Sequence, residues 1–260
     1  MKLLSNLCET DHPQTLSFSP SDTQELYKKN LETQPSDWHW RGQSITYSLN
    51  SQGFRCREFN LLEWDSSILT FGCSNTFGVG VDESDTWPHK LGLFLQKPVI
   101  NLAQGGQGWG FNWVNSVRVI KAGYKPLGVV YYWPTTERMF TLPESSDPNL
   151  VSGHGIWNTK KPVLTPGMQL GQYWALDPKI GTFWAEQYKL SLDIMWGHVG
   201  VPVYHFTWVK TVPIQGVEYI SMFASPTDVT ARARDLIHPG PSDHSRIALQ
   251  IYSKMKLLSC

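Results

Sequence analysis

The sequence lacks the charge imbalance and the long apolar runs that mark nucleic-acid binders and membrane proteins. Lys and Arg (22) balance Asp and Glu (22), so the formal net charge is zero. No basic surface for nucleic acid or for an anionic membrane is therefore predicted. No window approaches the roughly 20 apolar residues that a membrane-spanning helix needs. The expected partner is a small molecule or a glycan, with no nucleic acid and no membrane involved.

Cysteine is also scarce and scattered. The four cysteines lie at positions 8, 56, 73 and 260 without a CxxC pair, which excludes a zinc knuckle and a dense disulfide framework. No His or Cys cluster has metal-ligand spacing, so we expect no metal. The opening MKLLSNLCETDHP is interrupted by polar residues too early for a signal peptide. These observations predict a cytoplasmic protein with free thiols.

Residues 1–65 are polar and rich in turn formers, which predicts an N-terminal extension packed on the core. Within this extension the pattern favours a short helix at Thr23 to Leu31 and a hairpin at Ile45 to Arg57. Asn50 to Gly53 would form the turn of that hairpin.

From residue 66 onward, apolar strands alternate with helical patterns, which predicts one domain spanning 66–260. Strands are predicted at Ser67 to Phe71, Pro98 to Leu102, Leu127 to Trp133, Val201 to Trp208 and Glu218 to Ala224. Helices are predicted at Thr86 to Gln96, Asn112 to Lys121, Phe183 to Trp196 and Asp243 to Lys254. Residues 141–182 have no clear period and predict an inserted loop region that can lie over the sheet as a lid. The order favours a three-layer α/β/α sandwich with a mostly parallel central sheet of the flavodoxin-like type, which binds ligands at the carboxyl ends of its strands.

One serine lies at the exit of the first core strand. In FGCSNTFGVG (71–80), Ser74 stands in a glycine-bounded turn, and a serine hydroxyl there needs a base and oxyanion donors to act as a nucleophile. Asp235 and His238 are three residues apart in the loop before the last helix. A turn there can place the carboxylate on Nδ1 of the imidazole and leave Nε2 free to accept a proton.

Simpler interpretations compete with the catalytic one. Ser74 taken alone is typical of a turn, and an isolated Asp and His can satisfy backbone groups in a loop. Cys73 is interpreted as a buried structural residue, and His244 as a polar position on the first turn of the final helix. Residues 105–110 (GGQGWG) do not have the GxGxxG spacing of a dinucleotide site, and the nucleophile pattern GxSxG of α/β-hydrolases is missing.

Three blocks in the same order resemble the SGNH or GDSL hydrolase family. Residues 71–78 (FGCSNTFG) are similar to its first block, GDSxTxG, with Cys73 in place of aspartate. Residues 99–106 match the second block, in which a strand ends in Asn101 and Gly106 follows five residues later. Residues 235–239 (DLIHP) match the final DxxHP block. The resemblance covers roughly residues 66–254.

The resemblance implies a role for each matching residue. Ser74 would be the nucleophile, His238 the general base and Asp235 the residue that orients His238. The backbone N–H groups of Ser74 and Gly106 would line the oxyanion hole. The family's third donor, an Asn side chain after the third strand, is missing from residues 133–138 (WPTTER). Thr136 lies closest to that position, with Thr135 or Arg138 as substitutes.

These roles predict a serine esterase that cleaves carboxylic esters through an acyl-serine intermediate and needs no cofactor. The resemblance suggests short acyl groups, such as O-acetyl esters on carbohydrates. A second hypothesis is a catalytically weak module of the same fold that binds glycans within a larger assembly. The missing Asn and the long extensions motivate this second hypothesis.

Overall fold

The molecule is built from nine strands and six helices in the part of the chain that the computed structural model describes, residues 1–5, 9–141, 152–154, 178–210, 214–225, 227–229 and 231–258. In chain order they are β1 (Gln14–Leu16), α1 (Gln24–Thr33), β2 (Tyr47–Leu49), β3 (Ile68–Gly72), α2 (Ser74–Phe77), α3 (Trp87–Leu95), β4 (Val99–Asn101), α4 (Trp109–Lys121), β5 (Gly128–Trp133), β6 (Met139–Thr141), β7 (Ser152–His154), α5 (Pro178–His198), β8 (Val203–Thr207), β9 (Glu218–Tyr219) and α6 (Pro241–Leu258).

A five-stranded parallel sheet forms the centre, in the order β4-β3-β5-β8-β9. Thr70 of β3 aligns with Asn101 of β4, and Gly72 aligns with Tyr132 of β5. The carboxyl ends of these three adjacent strands therefore meet at one edge of the sheet. All five predicted strands are present, so the predicted fold class is confirmed.

Alternating side chains of β5 supply both faces of the sheet. Val129, Tyr131 and Trp133 pack against α4 and α5. In that core, α4 contributes Trp109 and Val119, and α5 contributes Leu192 and Trp196. Val130 and Tyr132 face the opposite way and pack with α3 and α6. Because β5 is covered on both sides, its sequence GVVYYW is apolar throughout, as expected for a buried parallel strand. The result is three layers, helix, sheet and helix.

Capping residues begin the helices near their predicted positions. The hydroxyl of Thr23 accepts a hydrogen bond from Leu26 N at 3.1 Å, and that of Thr86 accepts from His89 N at 3.4 Å. These two helices start within a residue of the prediction because threonine at the N-cap satisfies an otherwise unpaired N–H.

The last strand of the sheet is shorter than predicted. It ends at Tyr219 rather than Ala224. The Ser221 hydroxyl donates to Phe223 O at 2.7 Å, and Ala224 N donates to Asp243 Oδ1 at 2.7 Å, so the chain turns toward α6. The polar contacts of a turn replace the ladder of a strand there.

The predicted hairpin in the N-terminal extension is wrong. Strand β2 pairs with β1, in the antiparallel register Gln14 to Leu49, and does not pair with residues 54–57. The Asn50 side chain accepts from Gln52 N (3.0 Å) and Phe54 N (2.9 Å), so the expected turn at 50–53 forms. The chain after that turn leaves the sheet because Arg55 binds carbonyl groups near Ser74, as described below.

The predicted insertion at 141–182 lies mostly outside the described residues. Strand β6, at the start of this region, pairs antiparallel with β7 inside it. Helix α5 begins at Pro178, five residues before the predicted start at Phe183. No helix in the described ranges is long and apolar enough to cross a membrane.

Candidate active site

Ser74 stands at the first position of α2, directly after the end of β3. Gly72 makes this sharp exit feasible, because a Cβ there would lie 2.1 Å from Thr76 Oγ1 and 2.9 Å from Tyr132 O. The turn closes at Gly78, whose φ of +84° favours glycine. Ser74 is 7% exposed. The succession of strand, turn and helix thus holds the serine at the carboxyl edge of the sheet, where the sequence predicted it.

Asp235 and His238 form a hydrogen-bonded pair in the loop that leads to α6. Asp235 Oδ2 contacts His238 Nδ1, and Oδ1 accepts from the backbone N–H groups of Ile237 (2.9 Å) and His238 (3.0 Å). Leu236 takes the left-handed conformation, with φ of +61°, which lets the loop fold back on itself. The predicted pairing on Nδ1 is therefore present.

The other imidazole nitrogen, His238 Nε2, has no hydrogen-bond partner among the described residues, and the side chain is 12% exposed. Nδ1 faces the carboxylate, so a neutral ring carries its proton on Nδ1 and offers Nε2 as an acceptor. This arrangement suits a general base.

The loop of Asp235 packs directly on the residues that follow Ser74. Arg234 N donates to Gly80 O at 3.0 Å, and a Cβ on Gly80 would lie 2.8 Å from Ala233 Cβ. Ser74 and His238 are not hydrogen-bonded to each other in the described structure. The contact of Ser74 Oγ within hydrogen-bonding range is Cys73 Sγ, at 3.9 Å. Hydrogen bonds between a nucleophile and its base are often long without substrate and tighten when it binds.

The three predicted oxyanion positions follow three adjacent strands. Ser74 follows β3, Gly106 follows β4 with φ of +77°, and Thr136 follows β5 and is buried. Asn101 ties two of these loops together, because its Nδ2 donates to Thr76 O at 2.8 Å and its Oδ1 accepts from Ala103 N at 3.1 Å. The topology thus gathers these residues at one edge, and their role as oxyanion donors stays a prediction.

Thr136 lies against the first turn of α5. A Cβ on Gly181 would lie 2.8 Å from Thr136 O and 3.2 Å from its Oγ1, so glycine allows the helix to approach this closely. Trp109 Nε1 donates to Pro134 O at 3.0 Å and holds the same segment from α4. Residues 134–136 are therefore held by both α4 and α5.

Arg55 supports the serine loop from the N-terminal extension, and the sequence analysis missed it. Its guanidinium donates to the carbonyl groups of Phe77 (3.2 Å), Gly78 (2.7 Å), Val81 (2.9 Å) and Thr46 (3.0 Å). Burial lowers its pKa. Its guanidinium also lies 4.7 Å from the centroid of the Tyr47 ring. The sequence does not indicate this role, because all its hydrogen bonds go to backbone carbonyl groups and none goes to an acidic side chain.

His244 is buried, whereas the sequence predicted only a polar position on the first turn of α6. Its Nδ1 accepts from Trp87 N at 3.0 Å and thereby joins α6 to the start of α3. Burial, followed by the charge of Arg55, lowers its pKa from 6.5 to about 3. A neutral imidazole therefore serves here as a hydrogen-bond acceptor.

A second Asp–His pair joins α5 to β8, with its imidazole buried and its carboxylate partly exposed, and was also missed. His205 of β8 binds Asp193 of α5 through Nε2, at 2.8 Å from Oδ1, and its Nδ1 accepts from Trp133 Nε1 at 3.0 Å. Burial lowers the pKa of His205. Both ring nitrogens are occupied, so this imidazole has no nitrogen left for a substrate.

A surface groove of about 660 Å³ lies elsewhere, between residues 55–67 and α3. Its lining includes Arg57, Leu62 and Pro98 but none of Ser74, Asp235 or His238. Within the described part of the chain, no group of three or more His, Cys, Asp or Glu side chains is arranged to hold a metal ion. The candidate site itself contains a serine hydroxyl, an imidazole and a carboxylate.

No protein-family model matches the sequence, and the search of curated proteins returns no match. Solved structures with a similar fold include a protein from Desulfitobacterium hafniense DCB-2 assigned to the G-D-S-L family of lipolytic proteins (12% identity, TM-score 0.42, 73% of this chain and 99% of that one). They also include the esterase EstA from Pseudoalteromonas sp. (11%, TM-score 0.48, 75% and 98%). An acetyl xylan esterase from Butyrivibrio proteoclasticus matches at 11% identity with a TM-score of 0.42, over 76% of this chain and 64% of that one.

These matches include the family that the three sequence blocks resemble. At identities of 10 to 15% the likeness concerns the fold alone, and the TM-scores below 0.5 give it no further weight.

Proposed function

We propose that this protein is a serine hydrolase of carboxylic esters, with Ser74 as nucleophile, His238 as general base and Asp235 as its orienting carboxylate. The observation that carries the proposal is the Asp235–His238 pair, in a loop that is hydrogen-bonded to the serine loop at Gly80. The carboxylate holds His238 Nδ1, and Nε2 has no partner among the residues that the structure describes. A lone imidazole on a protein surface lacks this orientation.

The reaction follows from these positions. His238 Nε2 removes the proton of Ser74 Oγ as the oxygen attacks the ester carbonyl carbon. The imidazolium, stabilised by Asp235, then returns that proton to the leaving alcohol as the C–O bond breaks, which leaves an acyl-serine. Water then attacks the acyl-serine carbonyl and gives a proton to Nε2. The imidazolium returns that proton to Ser74 Oγ as the acyl–oxygen bond breaks, which releases the acid and restores the serine.

The developing oxyanion needs donors at the carboxyl edge of the sheet. The backbone N–H groups of Ser74 and Gly106 are the two that the motif resemblance implies, and Thr136 takes the place of the family's Asn. One such donor is worth roughly 10²- to 10³-fold in rate. A threonine in place of the side-chain amide is therefore expected to lower turnover without abolishing it. Short acyl groups, such as O-acetyl esters on carbohydrates, are the substrates that the resemblance favours.

A glycan-binding module with weak catalysis is the second candidate. It is favoured by two observations, the missing Asn side chain and the contact of Ser74 Oγ with Cys73 Sγ rather than with His238. The two candidates differ in whether the serine is activated.

Labelling by a fluorophosphonate probe tests this difference, because the probe reacts with an activated serine whatever the natural substrate. We expect the wild-type protein to be labelled and to hydrolyse p-nitrophenyl acetate, and Ser74→Ala to do neither. Ser253→Ala serves as the control, because that hydroxyl donates to Leu249 O on an exposed part of α6. An unlabelled wild type, or equal labelling of Ser74→Ala, would exclude the hydrolase and leave the binding module.

A further inference from the structure

Gly80 joins the serine loop to the loop of Asp235 and to the N-terminal extension. Its carbonyl oxygen accepts from Arg234 N at 3.0 Å, and its N–H donates to the Tyr47 hydroxyl at 2.8 Å. Arg234 is the residue immediately before Asp235, and Gly80 follows Ser74 by six residues. One glycine residue therefore connects three segments that are distant in sequence.

The buried carboxylate of Asp22 binds both hydrogen-bond partners of Gly80, Tyr47 and Arg234. The Tyr47 hydroxyl donates to Asp22 Oδ2 at 2.6 Å. Arg234 binds the same carboxylate through Nη2 at 2.7 Å and through Nε at 3.1 Å. Asp22 and Tyr47 are fully buried, and Arg234 is 2% exposed. Burial and the Asp22 carboxylate raise the pKa of Tyr47, so its hydroxyl keeps its proton and stays a donor.

The remaining contacts of Arg234 restrict it further. Its Nη2 also donates to Ser17 O at 2.7 Å, and its own carbonyl accepts from Asn30 Nδ2 at 3.0 Å. Its guanidinium lies 4.6 Å above the Phe18 ring. Both the backbone and the side chain of Arg234 are thus held by residues of the N-terminal extension. Such an enclosed polar network has few alternative arrangements.

We propose that Tyr47 and Asp22 are positioning residues, which hold Gly80 and Arg234 at one separation and thereby set the spacing of Ser74 from His238. This inference rests on the proposed hydrolase function. The Asp235–His238 pair is local to its own loop and does not depend on Tyr47. Loss of the Tyr47 hydroxyl therefore shifts the pair relative to the serine without breaking it.

Tyr47→Phe is the first test, because it removes one hydroxyl and keeps the ring that stacks on Phe77. We expect the rate of fluorophosphonate labelling at Ser74 to fall by about tenfold or more, since small displacements of reacting groups cost up to about 10²-fold. The pH at half-maximal labelling is expected to stay unchanged, because the Asp235–His238 pair is intact. Tyr131→Phe is the matched control: its buried hydroxyl also has two partners, Ser116 Oγ and Trp196 Nε1, but it faces the α4 and α5 side.

Hydrogen exchange measured by mass spectrometry separates this inference from the proposed function. Tyr47→Phe is expected to raise exchange in peptides that cover 78–81 and also in those that cover 232–238, and Tyr131→Phe in neither. If the wild type is not labelled, the hydrolase is excluded while exchange still decides whether the two loops are coupled. Unchanged exchange at 232–238, or labelling of Tyr47→Phe at the wild-type rate, overturns the positioning role.

Gly80→Ala gives a second test, independent of Tyr47. Its φ is +75° and its Cβ would meet Ala233 Cβ at 2.8 Å and Arg234 N at 3.1 Å, so the two loops have to separate. Gly123→Ala is the control, because Gly123 has φ of +84° but nothing within 4 Å of an added Cβ. We expect Gly80→Ala to lose labelling by at least about tenfold. Equal labelling in the two glycine variants contradicts the proposal.

Discussion

The two Asp–His pairs in the described part of the chain contain the same chemical groups but bind the carboxylate through different ring nitrogens. In the Asp235–His238 pair the carboxylate binds Nδ1, and Nε2 has no partner among the described residues. In the Asp193–His205 pair the carboxylate binds Nε2, and Nδ1 accepts from Trp133. The first pair lies in a loop at the edge of the sheet, and the second joins a helix to a strand.

The difference shows that an Asp–His contact alone does not identify a catalytic pair. A base needs a ring nitrogen that can accept a proton, and His205 has none left. Its imidazole instead lies in an aromatic stack, with ring centroids 5.2 Å from Tyr131 and 5.9 Å from Trp133. Its Asp193 is also bound by Lys189 at 2.8 Å. The hydrogen bonds from His205 and Lys189 lower the pKa of Asp193, although burial opposes them.

The largest effect that distinguishes the two pairs is expected from His238→Ala. Removal of the proposed base should lower the rate of p-nitrophenyl acetate hydrolysis by at least about 10²-fold, the lower end for a positioned acid or base. The rate is measured at saturating ester and compared with that of His205→Ala. Full activity of His238→Ala would mean that another group removes the serine proton.

His205→Ala should act on stability instead. The change removes a buried ring from the stack and leaves Trp133 Nε1 without its acceptor, which together should lower the free energy of unfolding by about 2 kcal/mol. Urea denaturation measures the loss, and fluorophosphonate labelling per folded molecule should remain at the wild-type level. A His205→Ala protein that is as stable as the wild type but unlabelled would reverse the assignment of the two pairs.

A third imidazole, that of His244, sharpens the comparison because it has no carboxylate partner. Burial lowers its pKa to about 3, whereas in the unfolded chain it titrates near 6.5. Below about pH 6.5 the unfolded state therefore binds a proton that the folded state does not, so stability should fall as pH decreases toward 3. The slope from this one group reaches up to about 1.4 kcal/mol per pH unit.

His244→Asn isolates that slope, since the Asn oxygen can still accept from Trp87 N. Urea denaturation at several pH values between 7.5 and 4.5 should show a flatter dependence in His244→Asn than in the wild type. Parallel curves would show that His244 is protonated, or solvated, in the folded protein.

The sheet was predictable because each strand carries its own local signal. Residues 128–133 are apolar at every position, and Ser74 follows an apolar strand in a glycine-bounded turn. The Asp235–His238 pair was predictable for the same reason, because its partners are three residues apart. Local spacing and local burial are the information that a single sequence presents directly.

The support of the site was not predictable, because its partners are far apart. Asp22 and Arg234 are separated by 212 residues, and Asn30 and Arg234 by 204. The false hairpin had a similar cause: its turn at 50–53 formed as expected, but β2 found its partner strand upstream, at Gln14–Leu16. Pairings of this kind depend on the assembled fold and leave no periodic pattern in the chain.

The long separation between Asp22 and Arg234 also has a consequence for the order of folding. Contacts between distant residues form slowly because the intervening chain has to be ordered first. We therefore expect the carboxylate of Asp22 to remain hydrated until the segment that carries Arg234 docks, so that dehydration of this ion pair comes late in assembly. In a partly folded chain the sheet can be formed before the loops of Ser74 and His238 pack together. Activity should therefore appear later than secondary structure during folding.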